Sequence, residues 1–373
     1  MFYYFLFFLF SLGQIGRLSF LNQQINIYLY EILLFGFFIY LFNKYKTKPF
    51  IQKNNKWLYF FPLSLFLSFL LTFNQYSVGQ NLIALLYLFR ISFYFVLLIY
   101  LRYYSLKQKD INEYIKPGLL LFFIFTLITS FAQYFLYPNL RNLSYLGWDP
   151  HLFRIFGVFF DTSISSAIFG MIIIYVIREF NNFSFSKMSR WLLLITFSVL
   201  GILTYSRGYY ISIIITLIYY LIKNKKIKYL LFILLLFITS LVIIPKPFGE
   251  GGNLLRIYSI ASRLKQNQEG IGLWFKSPVF GIGYNQLKSI RQNQTEIPTH
   301  SASAYPSSFV TILATSGVIG LFFFIMALSS IWNYSSYSKY YVLFLSIFSL
   351  MDNIILHPFI LFLLLFFVYD SKG

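Results

Sequence analysis

The chain has 373 residues, of which 58% are hydrophobic and only 11% are charged. Soluble domains carry roughly a quarter charged residues, so this composition excludes an ordinary soluble protein and indicates a membrane protein. The net charge of +19 does not require a nucleic-acid partner, because membrane proteins collect Lys and Arg in their cytoplasmic loops. The absence of Cys excludes disulfides, thiolate metal sites and Cys nucleophiles.

Apolar runs separated by short polar breaks predict about twelve transmembrane helices in one all-α transmembrane domain, residues 1–373. The first run lacks a basic n-region and a small-residue cleavage site, so we interpret it as a retained helix and not as a signal peptide. The last two runs can also be interpreted as one broken helix. The runs are 2–16, 27–42, 57–73, 81–101, 117–137, 157–177, 191–205, 209–222, 229–245, 307–331, 340–350 and 354–369.

Basic residues alternate between the breaks as twelve spans require. Breaks that hold three to five Lys or Arg (43–56, 102–116, 178–190 and 223–228) alternate with short breaks that hold none to two. The rich loops are expected in the cytoplasm, which puts both termini there, in a multi-pass protein of the cytoplasmic (inner) membrane. The large loop between the ninth and tenth spans, 246–306, is predicted to be extracytoplasmic.

The two basic residue types divide differently on this topology. Fifteen of 19 Lys lie inside, whereas seven of 11 Arg lie outside, against the usual bias. A guanidinium is a planar five-donor fork suited to phosphate oxygens. All three His (His151, His300 and His357) also fall on or near the outer face, which favours an anionic, phosphorylated substrate and a proton transfer there. Contacts with lipid headgroups or acidic neighbours are the alternative for each Arg.

Two outer segments concentrate these arginines. Gly208 permits a tight turn between two spans, which holds Arg207 at the membrane surface. An amphipathic stretch near the start of the long loop carries Arg256 and Arg263 two helical turns apart, so they share one face. A shaped element with Pro278, Gly281 and Gly283 follows, and Arg291 lies beyond it. The structural alternatives are that Arg207 is a turn residue whose side chain snorkels to the membrane surface, and that the long loop does not contact substrate.

Three further polar sites stand near spans. His300 precedes the span 307–331 and could deprotonate a sugar hydroxyl, because imidazole titrates near neutral pH. Arg154 and Asp161 enter the sixth span seven residues apart and could pair along one helix face, or Arg154 could contact substrate. Arg90 lies in the middle of the fourth span and needs a buried partner, for which Glu31 is one candidate.

Four segments in this order resemble the O-antigen ligase and polymerase superfamily. They are Arg154–Thr162, the Thr-x-Ser-Arg-Gly turn at 204–208, the Trp274…Pro278…Gly281-x-Gly283 element, and His300 followed by Thr315–Leu321. The resemblance implies a GT-C-like, metal-independent glycosyltransferase without a cofactor. It would use oligosaccharide carried on undecaprenyl pyrophosphate at the outer face of the membrane.

The resemblance also implies residue roles. Arg207, together with Arg256, Arg263 or Arg291, would hold the pyrophosphate, and His300 would activate the acceptor hydroxyl; Arg154 is a further candidate for phosphate contact. The outer acids are scattered and form no Mg²⁺ cluster, so Arg would replace a metal. The interval from His300 to Gly317 is several residues longer than in the usual ligase pattern.

That interval favours a polymerase of O-antigen, capsule or exopolysaccharide repeat units, with the lipid bilayer, a flippase and a chain-length regulator as partners. The first alternative is a ligase that moves the glycan to lipid A core or to a protein. A flippase or transporter for the same lipid-linked sugar is less consistent with the few charges inside the spans. A scaffolding membrane protein is the remaining alternative.

Overall fold

The computed structural model describes residues 1–21, 23–52, 55–107, 111–146, 148, 151–180, 186–226, 239, 257–292 and 303–368. Helices dominate this part of the chain, and the single sheet in it is one small hairpin. Its α-helices are α1 Phe2–Ser11, α2 Leu29–Tyr45, α3 Lys56–Thr72, α4 Val78–Lys107, α5 Ile111–Leu136, α6 Thr162–Arg178, α7 Lys187–Leu203, α8 Arg207–Lys223, α9 Ile257–Lys276, α10 Leu287–Gln292, α11 Ser308–Trp332, α12 Ser338–Ser349 and α13 Pro358–Phe367.

The all-α class is confirmed, and each predicted apolar run within the described residues coincides with a helix. The run 229–245 lies outside the described residues except for residue 239. Among the described residues, four segments are long and apolar enough to cross a membrane: Lys56–Gln75, Val78–Lys107, Glu113–Leu136 and Ser308–Trp332. The count of about twelve spans therefore stays a prediction. The last two runs form two helices, α12 and α13, which are joined by a turn at 350–357. The last residue of this turn, His357, caps α13.

Side-chain caps begin several of the helices. Asp161 accepts hydrogen bonds from the backbone N–H groups of Ser163 and Ile164 at the start of α6. Ser206 and Ser307 accept comparable bonds at the starts of α8 and α11. His357 caps α13, whose first residue is Pro358. Such caps satisfy N–H groups that a helix end leaves without partners, so the helix starts follow from local sequence.

The chain returns repeatedly to the same two ends of the helix bundle. One end, which we call the hairpin end, carries 17–28, 73–77, 137–161, 204–206, 257–307 and 350–357 in its described parts. The hairpin pairs Arg17–Phe20 with Ile25–Tyr28 in antiparallel register. The opposite end, the terminal end, carries the start of α1 and the end of α13: Tyr3 in α1 packs edge-on against Phe366 in α13. The hairpin end corresponds to the predicted outer face.

Aromatic rings fill the bundle where α1, α2 and α13 meet. Phe10 stacks on Phe362 with ring centroids 4.1 Å apart, and Tyr30 meets Phe362 edge-on at 4.9 Å. Outward faces remain apolar as well, since Leu71 and Phe89 are each more than half exposed. A helix that is apolar on its inner and outer faces is stable in lipid but not in water. The protein is therefore a helical membrane protein.

Helix α11 is broken at Gly317, where φ is +65°. Two of the sequence motifs interlock at this break. Ile282 and Gly283 donate backbone hydrogen bonds to the carbonyls of Ala314 and Thr315, both at 3.0 Å. The backbone N–H of Val318 donates in turn to Pro278, at 3.0 Å. These bonds satisfy polar groups that the break frees, which an irregular backbone in a membrane protein requires.

Glycine is required on both sides of this contact. A Cβ at Gly317 would lie 2.1 Å from the carbonyl oxygen of Val279, and a Cβ at Gly281 would lie 2.3 Å from the backbone of Thr315. Both glycines also have positive φ, which side chains rarely adopt. The Gly281-x-Gly283 and Thr315–Leu321 motifs therefore encode one backbone-to-backbone joint.

Candidate functional site

The tight turn at 204–208 presents Arg207 at the hairpin end. Ser206 caps the following helix, and Gly208 packs so closely that a Cβ there would lie 2.6 Å from the ring of Phe348. The same Cβ would lie 3.2 Å from a carboxylate oxygen of Asp352. Glycine therefore lets the turn approach the end of α12 and brings Arg207 beside the turn that carries Asp352.

Arg263 reaches the same carboxylate from α9. Its Nη1 lies 2.6 Å from Oδ1 of Asp352 and donates to the carbonyl of Met351 at 2.8 Å. Arg207 donates to the hydroxyl of Ser259, one helical turn earlier on α9, at 3.2 Å. Two guanidinium groups thus flank one buried carboxylate, and we call Arg207, Arg263 and Asp352 the arginine cluster.

The electrostatics of this cluster favour an additional anion. Burial, reinforced by the charge of Arg263, lowers the pKa of Arg207, and Asp352 offsets this only in part. Burial raises the pKa of Asp352, against the opposing effect of Arg263. A phosphate beside two guanidinium groups would accept charge-assisted hydrogen bonds from both, so the arginine cluster is chemically suited to a phosphate group.

Arg154 is buried and holds the backbone of the tight turn. Its Nε donates to the carbonyl of Thr204 at 2.9 Å, and its Nη2 donates to that of Tyr205 at 3.0 Å. Arg154 therefore orients the turn that carries Arg207. The suggested helix-face pairing with Asp161 does not occur, because positive φ values at Gly157 and Phe160 keep this segment non-helical and α6 begins only after Asp161.

The remaining predicted residues lie elsewhere. Arg291 in α10 donates to the carbonyl of Ala304 at 3.1 Å and stacks on Tyr305, with 5.0 Å between its guanidinium carbon and the ring centroid. It ties α10 to the segment before α11. Arg256 and His300 lie outside the described residues.

Arg90 and Glu31 form a buried ion pair at the hairpin end. Nε and Nη2 of Arg90 lie 2.7 and 2.5 Å from the two carboxylate oxygens of Glu31. This pairing is the one that the sequence suggested for Arg90, and it joins the first turn of α2, which contains Glu31, to α4. Helix α4 has 30 residues, or about 45 Å, and overhangs the shorter α2.

A cavity of about 370 Å³ opens beside this ion pair. Its walls come from the hairpin, the start of α4, the segment around α10 and the turn 350–357. Tyr87, Tyr94 and Tyr284 supply aromatic surface, while Arg90, Lys288 and His357 supply donors. Carboxamide side chains are unusually frequent in the lining: Gln23, Gln24, Asn26, Gln80, Asn285, Gln286 and Asn353.

A carboxamide offers both donors and an acceptor, and a sugar hydroxyl requires both. The combination of carboxamides with aromatic rings therefore fits a polyhydroxylated ligand, and the volume is in the range of small-ligand pockets. The cavity adjoins the arginine cluster through one peptide bond. Asp352 belongs to the cluster, and Asn353 lines the cavity.

Sequence reasoning assigned no role to Asp352 or Lys288, and it counted His357 only among the three His near the predicted outer face. Asp352 was one of the scattered outer acids, yet it pairs with Arg263 beside Arg207. The sequence did contain a signal for Asp352. An Asp-Asn pair in a very short break between two apolar runs is expected to contact other polar groups at the same end of the bundle. Among the described residues, no three His, Asp or Glu side chains cluster as metal ligands.

The fold and these two polar features define a polytopic helical membrane protein with a cluster of two arginines and a carboxylate beside a cavity lined by carboxamides and aromatic rings. Residues 191–325 match the family model described as O-antigen ligase. The match covers the arginine cluster except Asp352, and it confirms the resemblance to the O-antigen ligase superfamily. It supports a membrane enzyme of the O-antigen ligase or polymerase type that transfers glycosyl groups. No curated protein matches the chain.

Proposed function

We propose that this protein polymerises oligosaccharide repeat units carried on undecaprenyl pyrophosphate, at the outer face of the cytoplasmic membrane. The observation that carries the proposal is the direct adjacency of the arginine cluster and the cavity, through Asp352 and Asn353. In the donor substrate of such an enzyme, the diphosphate is bonded directly to the sugar, so the sites that bind these two groups must adjoin. The long interval between His300 and Gly317 favours a polymerase over a ligase.

In the proposed reaction, Arg207 and Arg263 hold the donor pyrophosphate in the arginine cluster. A hydroxyl of the acceptor sugar attacks the anomeric carbon of the donor, and the bond from that carbon to pyrophosphate oxygen breaks. Undecaprenyl pyrophosphate leaves with the electron pair, and the guanidinium groups stabilise the charge that develops on it. This role for Arg makes a metal ion unnecessary.

His300 is the proposed general base that removes the hydroxyl proton. It precedes Ser303 by three residues in sequence, and Ser303 lines the cavity. Arg154 is a positioning residue in this scheme, because it holds the carbonyls of the turn before Arg207. Glu31 is unsuited to act as the base, since Arg90, Tyr94 and the backbone of Tyr28 already occupy its carboxylate.

The reaction can be tested with the purified full-length protein in liposomes that contain undecaprenyl-pyrophosphate-linked repeat units. We expect a ladder of longer glycans and released undecaprenyl pyrophosphate, with activity retained in EDTA. We expect His300→Ala to abolish the ladder while the protein still inserts. Transfer that occurs only after addition of lipid A core would establish the ligase instead, and an unchanged ladder in His300→Ala would remove the base assignment.

The sidedness can be tested in intact cells because the chain has no Cys. Single cysteines would replace the exposed Lys265 at the hairpin end and the exposed Lys226 at the terminal end. We expect a membrane-impermeant maleimide to label Lys265→Cys directly, and Lys226→Cys only after permeabilisation. The reverse pattern would put the arginine cluster in the cytoplasm and contradict the proposed reaction.

A further inference from the structure

The cavity beside the arginine cluster carries a net positive charge. Arg90 and Lys288 are the charged side chains in its described lining, and no Asp or Glu from the described residues joins them there. Glu31 neutralises Arg90 from behind the cavity wall. No carboxylate among the described residues pairs with Lys288, and burial lowers the pKa of its amine. One uncompensated, half-buried cation therefore remains beside the carboxamides.

Arg90 has one nitrogen left for a ligand. Its Nε and Nη2 are directed to Glu31, whose carboxylate also accepts from the hydroxyl of Tyr94 at 2.8 Å and from the backbone N–H of Tyr28 at 3.0 Å. These four bonds fix the guanidinium plane. Nη1 makes no hydrogen bond with the described residues, while Arg90 itself lines the cavity. A guanidinium held in this way is a pre-oriented donor.

His357 adds a second oriented donor to the lining. Its Nδ1 accepts from the backbone N–H of Phe359 at 3.3 Å, as the cap of α13. An imidazole whose Nδ1 accepts carries its hydrogen on Nε2 when neutral. Burial, reinforced by the charge of Arg90, lowers the pKa of His357 to about 3, which disfavours a positive charge on the ring. His357 therefore donates from Nε2 and is a poor base.

We infer that the cavity selects a sugar that carries an oxyanion, either the carboxylate of a uronic acid or a phosphate ester, with Lys288 as its counter-ion and Arg90 and His357 as hydrogen-bond donors. This inference rests on the proposed function, because the ligand is the glycan part of the lipid-linked unit. It adds that the transferred repeat unit is acidic at the position that enters the cavity. A neutral sugar would leave Lys288 half-buried without a counter-charge, at a cost in binding.

The test is a binding measurement on the full-length protein in nanodiscs, by saturation-transfer NMR and titration calorimetry. The probes are methyl glucuronide, glucose 6-phosphate, methyl glucoside and inorganic pyrophosphate. We expect the two anionic sugars to bind on the order of tenfold more tightly than the glucoside, as a charge-assisted contact provides. Whichever anionic sugar binds more tightly identifies the oxyanion.

Variants of one residue separate charge from shape. We expect Lys288→Gln to remove the preference for anionic sugars, and Lys288→Arg to retain most of it. The matched control is Lys276→Gln, an exposed lysine at the end of α9 that does not line the cavity, and we expect it to bind like the wild type. Equal binding of all three sugars, or a preference that survives in Lys288→Gln, would overturn the inference.

Pyrophosphate distinguishes this inference from the proposed function. We expect its binding to depend on Arg207 and to be unaffected by Lys288→Gln. If pyrophosphate binding depends on Lys288 instead, the cavity holds the carrier's phosphate and the acidic-sugar inference fails. If pyrophosphate does not bind while the Lys288-dependent sugar preference persists, the proposed reaction fails and the cavity remains a site for an acidic sugar.

Discussion

The two ends of the bundle differ in what their arginines contact. At the terminal end, Arg102 donates to Asn55 at 2.9 Å and stacks on Tyr334, with 3.9 Å between the guanidinium carbon and the ring centroid. Arg178 pairs there with Glu179 at 3.1 Å and donates to the carbonyl of Phe367 at 2.8 Å. These contacts connect neighbouring loops and helix ends to one another.

At the hairpin end, some of the arginines border a cavity or one another. Arg263 pairs with Asp352, close enough to Arg207 for an electrostatic effect, and Arg90 faces a cavity of about 370 Å³ with one nitrogen not directed to its ion pair. At the terminal end these arginines thus contact protein groups, whereas at the hairpin end Arg90 borders a cavity and Arg154 holds a turn. The number of arginines in the predicted outer loops therefore predicts a functional end, but their contacts distinguish the structural roles of the individual residues.

The largest expected effect concerns the joint that shapes the hairpin end. Gly317→Ala would place a Cβ against the carbonyl of Val279 and force a left-handed alanine. We expect a loss of about 5 kcal/mol, from the backbone bonds at the joint and the unfavourable conformation. The loss can be measured as a lower unfolding temperature, with size-exclusion chromatography of heated samples reporting the folded fraction. Gly36→Ala in α2 is the matched control, because its Cβ would meet nothing within 4 Å, and it should be at least as stable as the wild type.

The second effect compares one buried ion pair at each end. Glu31→Gln and Glu179→Gln each leave a buried arginine without its carboxylate, and we expect each to cost about 3–5 kcal/mol of stability. Only Glu31→Gln should also slow glycan chain growth per molecule of folded protein, because only Arg90 lines the cavity. Equal loss of specific activity in both variants would show that the two ends do not differ in function.

The smallest effect concerns shape at constant charge. Arg207→Lys keeps the positive charge and loses the fork, so we expect chain growth to fall roughly 100-fold. Arg102→Lys at the terminal end should leave chain growth within about twofold, with a lower unfolding temperature, because Arg102 only joins Asn55 to Tyr334. Gel analysis of glycan length measures both. Wild-type chain growth in Arg207→Lys would contradict phosphate binding at this position.

Much of the fold was predictable from the order of apolar runs, because helix formation in a membrane depends on local composition. The run 57–73 became Lys56–Thr72, and the run 307–331 became Ser308–Trp332. Helix lengths were less predictable: α4 extends from Val78 to Lys107 around the run 81–101, since polar residues can continue a helix where its neighbours satisfy them. Arg90 lies 12 residues after the start of α4 and lines the cavity there.

The site was predictable in its residue types but not in its pairings. Arg207 and Arg263 were both selected from the sequence, and the structure brings them together. Their shared partner, Asp352, lies 89 residues after Arg263, and only packing of α9 against the turn after α12 creates that contact. Arg154 was selected for phosphate, whereas its donors face two carbonyls. A chemically suitable side chain shows what it can bind, and tertiary contacts determine what it does bind.

The joint between Gly281 and Gly317 has a consequence for protein engineering. Because the backbone of 278–283 completes the hydrogen bonds of a helix more than 30 residues away, neither segment is a transplantable module. In a chimera whose residues 257–292 are replaced by a segment of another protein, the glycines of that segment would be spaced for a different helix. Donor segments should therefore be exchanged together with Thr315–Leu321, and recombination libraries that cut between them should yield few assembled proteins.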